Sequence, residues 1–227
     1  MSGIIKKLTL VLSVLVFAGC ASVSKMPLQV KGKTGISIAQ KSILVATVSI
    51  KNANKDSQQP TICCIFLKKD DKDLSFTEPT LISDKEKEGK TYIVSMEVTP
   101  GTTQINMIRF VRQVPLLLMA TADLPFNQTI EVPANKVVYL GNIDAVIQPR
   151  TNDSQPRAGS VVPLIDQSVA GFSNGTFTAT VKDQFNEDVA EIKNKFPKVA
   201  NLDFVNMTLP AWKYPEQDTS KPKKTKK

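Results

Sequence analysis

From about residue 28 to about residue 182 the apolar side chains mostly recur at every second position. That is the period of a strand with one face in a core, not the three-to-four spacing of a helix. In Tyr92-Ile93-Val94-Ser95-Met96-Glu97-Val98, the residues Tyr92, Val94, Met96 and Val98 share one face, and Ser95 and Glu97 fall on the other. Between Thr176 and Val181, Phe177, Ala179 and Val181 alternate with three threonines. Ser42 to Ile50 opens instead with a continuous apolar run, which predicts a central strand covered on both faces. Turn signals separate the runs. Thr99-Pro100-Gly101-Thr102 precedes the extended Gln104–Val111 segment, and Pro133-Ala134-Asn135-Lys136 divides Gln128–Val132 from Val137–Ile147 as a hairpin. Roughly seven to nine short strands joined in this way predict a mainly β fold, an antiparallel β-sandwich.

One segment has the other period. Phe185, Val189, Ile192 and Phe196 follow at spacings of 4, 3 and 4, the stripe of an amphipathic helix packed on a core. Asp183 is placed to cap it, Lys193 and Lys195 fall in its last turn, and Pro197 stops it. Arg150 to Gly159 is polar and rich in turn formers, a loop or lid between sheet elements.

The net charge of +8 lies mostly outside this body. Lys6 and Lys7 carry two of the charges, and Lys221, Lys223, Lys224, Lys226 and Lys227 carry five. The near-neutral remainder argues against a nucleic-acid-binding body, which needs a basic face on the fold itself. The lysine-rich end, disordered by composition, offers contacts to anionic lipid head groups or to anionic envelope polymers such as peptidoglycan.

At the other end, Lys6 and Lys7 precede an apolar run, Leu8 to Phe17. That run is shorter than the ~20 residues needed to span a bilayer. A charged start, a short apolar core and small residues after it mark a signal peptide. Phe17-Ala18-Gly19-Cys20 resembles the lipobox of bacterial lipoproteins, with Phe17 in place of the usual aliphatic residue. The resemblance implies cleavage before Cys20, acylation of Cys20 (palmitate among the chains) and a stable membrane anchor. Under the enterobacterial sorting rule, Ala21 in place of Asp directs such a protein to the outer membrane, facing the periplasm or the cell surface. The expected organisation is a signal peptide over residues 1–19, a tether over 20–27, the sandwich with its C-terminal helix over 28–217 and a disordered lysine-rich tail over 218–227. The stretch from the Pro-Gly turn to Val137-Val138-Tyr139-Leu140-Gly141 is similar to bacterial lipoproteins with prealbumin-like β-sandwich domains, which implies fold rather than activity.

Several chemistries are offered and refused. Gly171-Phe172-Ser173-Asn174-Gly175 matches the nucleophile elbow of α/β hydrolases, but a strand follows it and the chain has no histidine. A Ser-His-Asp triad is therefore excluded, leaving only a Ser/Lys variant. Gly32-Lys33-Thr34 has Pro27 where a phosphate-binding loop needs its first glycine. Lys68-Lys69-Asp70-Asp71-Lys72-Asp73 lacks the glycine and terminal glutamate of a calcium loop and interleaves lysines that repel a cation. Cys63 and Cys64 sit in a strand-like run, where adjacent residues face opposite ways. They read as two small hydrophobes rather than as a redox or metal pair. Lys227, the last residue, matches the wall-linked terminal lysine of the murein lipoprotein family, although that family is a coiled coil.

The sequence thus predicts a membrane-anchored envelope lipoprotein, with no cofactor and no metal, acting as a non-enzymatic binding or structural module with an envelope protein as a candidate partner. The alternatives are a Ser/Lys- or carboxylate-based envelope hydrolase and a cell-wall tether through the tail.

Overall fold

The computed structural model describes residues 22–29, 36–114, 118–161 and 168–214. The strands are β1 (Ser22–Lys25), β2 (Ser42–Asn52), β3 (Thr61–Lys69), β4 (Lys72–Thr77), β5 (Thr80–Lys85), β6 (Gly89–Val98), β7 (Gly101–Val114), β8 (Leu118–Val132), β9 (Val137–Pro149), β10 (Gly175–Lys182) and β11 (Phe204–Asn206). The helix α1 spans Phe185–Lys195. Two sheets face one another. The first runs β1-β4-β3-β7-β8, and the second runs β10-β9-β2-β6-β5 with β11 also paired to β9. Most ladders are antiparallel, but β1–β4, β2–β9 and β9–β11 are parallel, so both sheets are mixed.

The inward residues build the core at the expected period. Leu44, Ala46, Val48 and Ile50 of β2 meet Tyr92, Val94, Met96 and Val98 of β6, and these pack against Ile108, Phe110, Ala122 and Leu124 of the opposite sheet. Full burial of each larger side chain contributes about 1.5–3 kcal/mol relative to exposure.

A smaller cluster lies on the outer face of the second sheet. Ile43, Val45, Ile93, Val137 and Tyr139 point away from the sandwich and are covered by Leu28, by Ile192 of α1 and by Val199. This third layer explains why β2 begins as an unbroken apolar run. Val189 and Ile192 are buried as the helical stripe predicts, and Phe185 and Phe196 pack against the cluster. Asp183 sits one residue outside the helix cap, and its Oδ1 accepts the Phe185 N–H at 3.1 Å.

The junction between helix and sheet holds one buried polar knot. Tyr139 donates its hydroxyl proton to Asp188 at 2.6 Å, and Asn142 Nδ2 donates to the same carboxylate at 3.1 Å. Burial, then the Asp188 hydrogen bond, pushes the Tyr139 phenol far above its ordinary value. Just beyond lies Gly141, at φ +116, where an added Cβ would sit 2.8 Å from Val181 Cγ1. The ladder between β2 and β9 slips here, and the outer partner of β9 changes from β11 to β10. A glycine is required at that exchange because an L side chain would be both strained and obstructed.

Three expectations meet a different arrangement. Pro133-Ala134-Asn135-Lys136 does not close a hairpin: β8 pairs with β7 in the first sheet and β9 with β2, β10 and β11 in the second. The turn crosses between the sheets because its backbone bonds to the start of β2, Asn135 N–H to the Lys41 carbonyl and Ile43 N–H to the Lys136 carbonyl, which feeds β9 in parallel beside β2. Within the stretch read as a tether, Ser22–Lys25 pairs with β4, and Met26 is buried in the core. The physical reason is that Met26 and Leu28 cover the edge of β6 beyond the end of β5, where Met26 Sδ accepts the Ser95 N–H at 3.3 Å. The Cys63-Cys64 step is not a regular strand either. Ile62 and Ile65 both enter the core although they are three residues apart, and a bulge between Ile62 and Cys64 absorbs the odd residue.

Candidate binding site

The far half of the second sheet's outer face is not covered by α1. From Thr47 onward the outward positions of β2 become polar (Thr47, Ser49, Lys51), and those of β9 do the same (Asn142, Asp144). Ladder register aligns them into rows. Thr180, Asp144, Ser49, Thr91 and Ser83 stand side by side across five strands, one from each. The neighbouring row brings Lys182, Asn142 and Thr47 together, and the next one Thr178, Val146 and Lys51. Ser49 Oγ and Thr91 Oγ1 are 2.9 Å apart and share a hydrogen bond in the middle of the first row.

Over this strip lies an open groove of about 350 Å³, lined by Ser49, Lys51, Asn142, Asp144, Lys182 and the β5–β6 hairpin. No aromatic side chain lines it. Its charges fall into two kinds. Lys85 faces Glu88 at 3.6 Å, and Lys90 faces Asp84 at 3.2 Å. Lys51, Lys182 and Asp144 make no ion pair among the described residues, which leaves their charges available to a ligand.

A second groove, of about 390 Å³, opens on the edge of the first sheet beside Asp123, Arg157, Ser160 and Tyr214. Its charged groups are already engaged. Asp123 takes both Nε and Nη2 of Arg109 at 2.7 and 2.9 Å, and Arg157 donates to the Ser173 carbonyl. The loop that borders it is structural, since Ala158 bonds to Asp123 of β8 on one side and Gly175 of β10 on the other. The predicted Arg150–Gly159 loop is thus a clasp joining the edges of the two sheets.

The sequence candidates fall as follows. Cys20, Lys221, Lys223, Lys224, Lys226, Lys227 and the Gly32-Lys33-Thr34 triplet lie outside the described residues. Ser173 is nine-tenths buried in a turn that leads into β10, with turn rather than strand before it. The two glycines of its motif have a steric reason: Gly171 is at φ +79, and a Cβ on Gly175 would lie 2.6 Å from the Gly171 carbonyl oxygen. Lys68 to Asp73 forms the β3–β4 hairpin, with Asp70 and Asp71 at positive φ in a two-residue turn. Lys69 is buried at its base and donates to the carbonyls of Pro100 and Thr102 at 2.8 and 3.0 Å. Cys63 and Cys64 carry free thiols. Burial, then the neighbouring Cys63, pushes the Cys64 thiol up to about 12, which makes it a poor nucleophile at neutral pH. The groove residues themselves were not singled out from sequence. Their signal is the change of outward residues along β2 from Ile43 and Val45 to Thr47, Ser49 and Lys51.

Among the described residues no helix is long and apolar enough to cross a membrane. No family model and no curated protein matches the chain. A solved structure from Parabacteroides distasonis, described as a "putative cell adhesion protein", aligns at 12% identity over 64% of this chain and 41% of its own, with a TM-score of 0.29. This chain therefore spans less than half of that protein, and a likeness of that size carries no inference.

Proposed function

We propose that the chain is a lipid-anchored protein of the bacterial envelope, at the outer membrane, whose sandwich serves as a non-enzymatic binding module. The observation that carries the reading is Phe17-Ala18-Gly19-Cys20, a lipobox at the end of a signal-like segment. Only Ala21 separates Cys20 from β1, so a lipid on Cys20 would hold the domain within a few ångströms of the membrane. Because Ser22 pairs with Leu74, a lipid on Cys20 would lie at the β3–β4 hairpin end. The polar groove lies toward the opposite end. Nine residues of β2 separate Ser42 from Lys51, a rise of about 30 Å. An anchor at one end and an open polar face at the other is the arrangement of a presented binding surface.

The test is fractionation of the full-length protein and its Cys20→Ser variant. The wild type is expected in the membrane fraction and freed by detergent. The variant is expected to leave the membrane with its near-UV circular dichroism unchanged. A variant that stays in the membrane contradicts the anchor. Full-length protein released by muramidase but not by detergent would assign the attachment to Lys227 and the tail instead.

A further inference from the structure

We infer that the open half of the second sheet's outer face binds an acidic polysaccharide chain, an inference that rests on reading this face as the binding surface. Three features select that chemistry. The first is the hydroxyl row, Thr180, Ser49, Thr91 and Ser83, with Asp144 and Asn142 set among them. Hydroxyls that both donate and accept, an amide and a carboxylate match the hydroxyl-rich edges of sugars. The second is the absence of aromatic walls: Ile50 and Val146 are the larger apolar residues that line the groove, and polar side chains surround them. The lining offers no aromatic platform for stacking and is open and mostly polar, so the ligand is recognised chiefly by polar contacts along an exposed strip.

The third feature is the charge arrangement. Lys51 and Lys182 sit on the strands flanking β9, aligned with Val146 and Asn142 respectively. Two strand spacings and four residues of rise put them about 16 Å apart on the diagonal. Both are free of ion pairs among the described residues, and the strip of hydroxyls lies between them. A single sugar or a small anion cannot reach both. An extended chain whose carboxylates are separated by hydroxyl-bearing units can. Asp144 lies between the lysines, where the ligand presents hydroxyls to it rather than charge. Lysine, a compact point charge with rotatable donors, suits carboxylates held loosely on such a chain.

The experiment measures affinity of the full-length protein in detergent for polygalacturonate, for polyphosphate and for neutral dextran, comparing wild type with the Lys51→Glu/Lys182→Glu double variant. The basic tail is common to both forms, so the difference between them reports the groove. Polygalacturonate is expected to bind, with affinity falling as salt rises, and the double variant to bind about tenfold more weakly, which is about 1.4 kcal/mol. Dextran is expected to bind far more weakly than polygalacturonate. Equal binding of polygalacturonate by the two forms overturns the inference, because the groove then contributes nothing. A groove-dependent preference for polyphosphate or dextran also overturns it, while leaving the face as a binding surface. A Ser49→Tyr variant that fills the strip without changing charge keeps the test independent of simple repulsion: it should also bind weakly.

Discussion

The outer face of the second sheet is two surfaces built from the same strands. Near the hairpin end, Ile43, Val45, Ile93, Val137 and Tyr139 lie under α1 and the segments flanking it. Farther along β2 and β9, Ser49, Lys51, Asn142 and Asp144 look outward onto an open groove. The backbone pairing is continuous through both halves, and only the outward side chains change. An antiparallel or mixed sheet can be covered on one face and wet on the other. This one makes that change within a single face, and Gly141 and the Tyr139–Asp188 knot mark the border. One half therefore carries stability, and the other is left free for recognition.

The covered half can be broken at its centre. Ile192 is fully buried under the sheet, and Ile192→Ala should cost about 2–5 kcal/mol in urea unfolding. At the border, Asp188→Ala leaves the Tyr139 hydroxyl buried without its acceptor, and about 1–3 kcal/mol of stability should be lost. Gly141→Ala forces a Cβ into Val181 at an unfavourable φ, and a loss of about 1–3 kcal/mol is expected by the same assay. The open half should behave differently. Ser49→Ala should change stability by no more than about 0.5 kcal/mol. If it proves as costly as the border substitutions, the division of the face is wrong.

Alkaline pH sharpens the same contrast, because the buried phenols lie in the core and the covered half. Burial, then the nearby Asp84 carboxylate, pushes Tyr92 up to about 12 from an ordinary value near 10. Tyr139 is raised in the same direction. A phenol held protonated by the fold contributes its full stability below about pH 10. That contribution is lost as pH rises toward 12, because the unfolded chain ionises first. Urea midpoints should therefore fall over that window, and Tyr92→Phe should flatten the fall. A slope unchanged by this substitution would show that the phenol ionises equally easily in the folded and unfolded chains.

Much of this organisation is legible in the residues. The alternation in Tyr92–Val98 and Thr176–Val181 gives strands and their inward faces, the Phe185–Phe196 stripe gives the helix, and the apolar opening of β2 announces a layer on its second side. Three features were not legible. Strand β1 is short, and its four residues are exposed, so nothing in its pattern distinguishes it from a tether; only pairing with β4 defines it. The bulge at Cys63-Cys64 depends on the partner ladders and leaves no local mark. The groove arises from register across five strands, which places Thr180, Asp144, Ser49, Thr91 and Ser83 in one row although they come from distant parts of the chain.

The division of that face is tested most directly by lysine acetylation footprinting of the full-length protein, with and without polygalacturonate, read by mass spectrometry. The account predicts that Lys51 and Lys182 become protected while Lys193 and Lys195, on the helix of the covered half, react as before. Protection spread evenly over both halves, or confined to Lys221, Lys223, Lys224, Lys226 and Lys227, would contradict it.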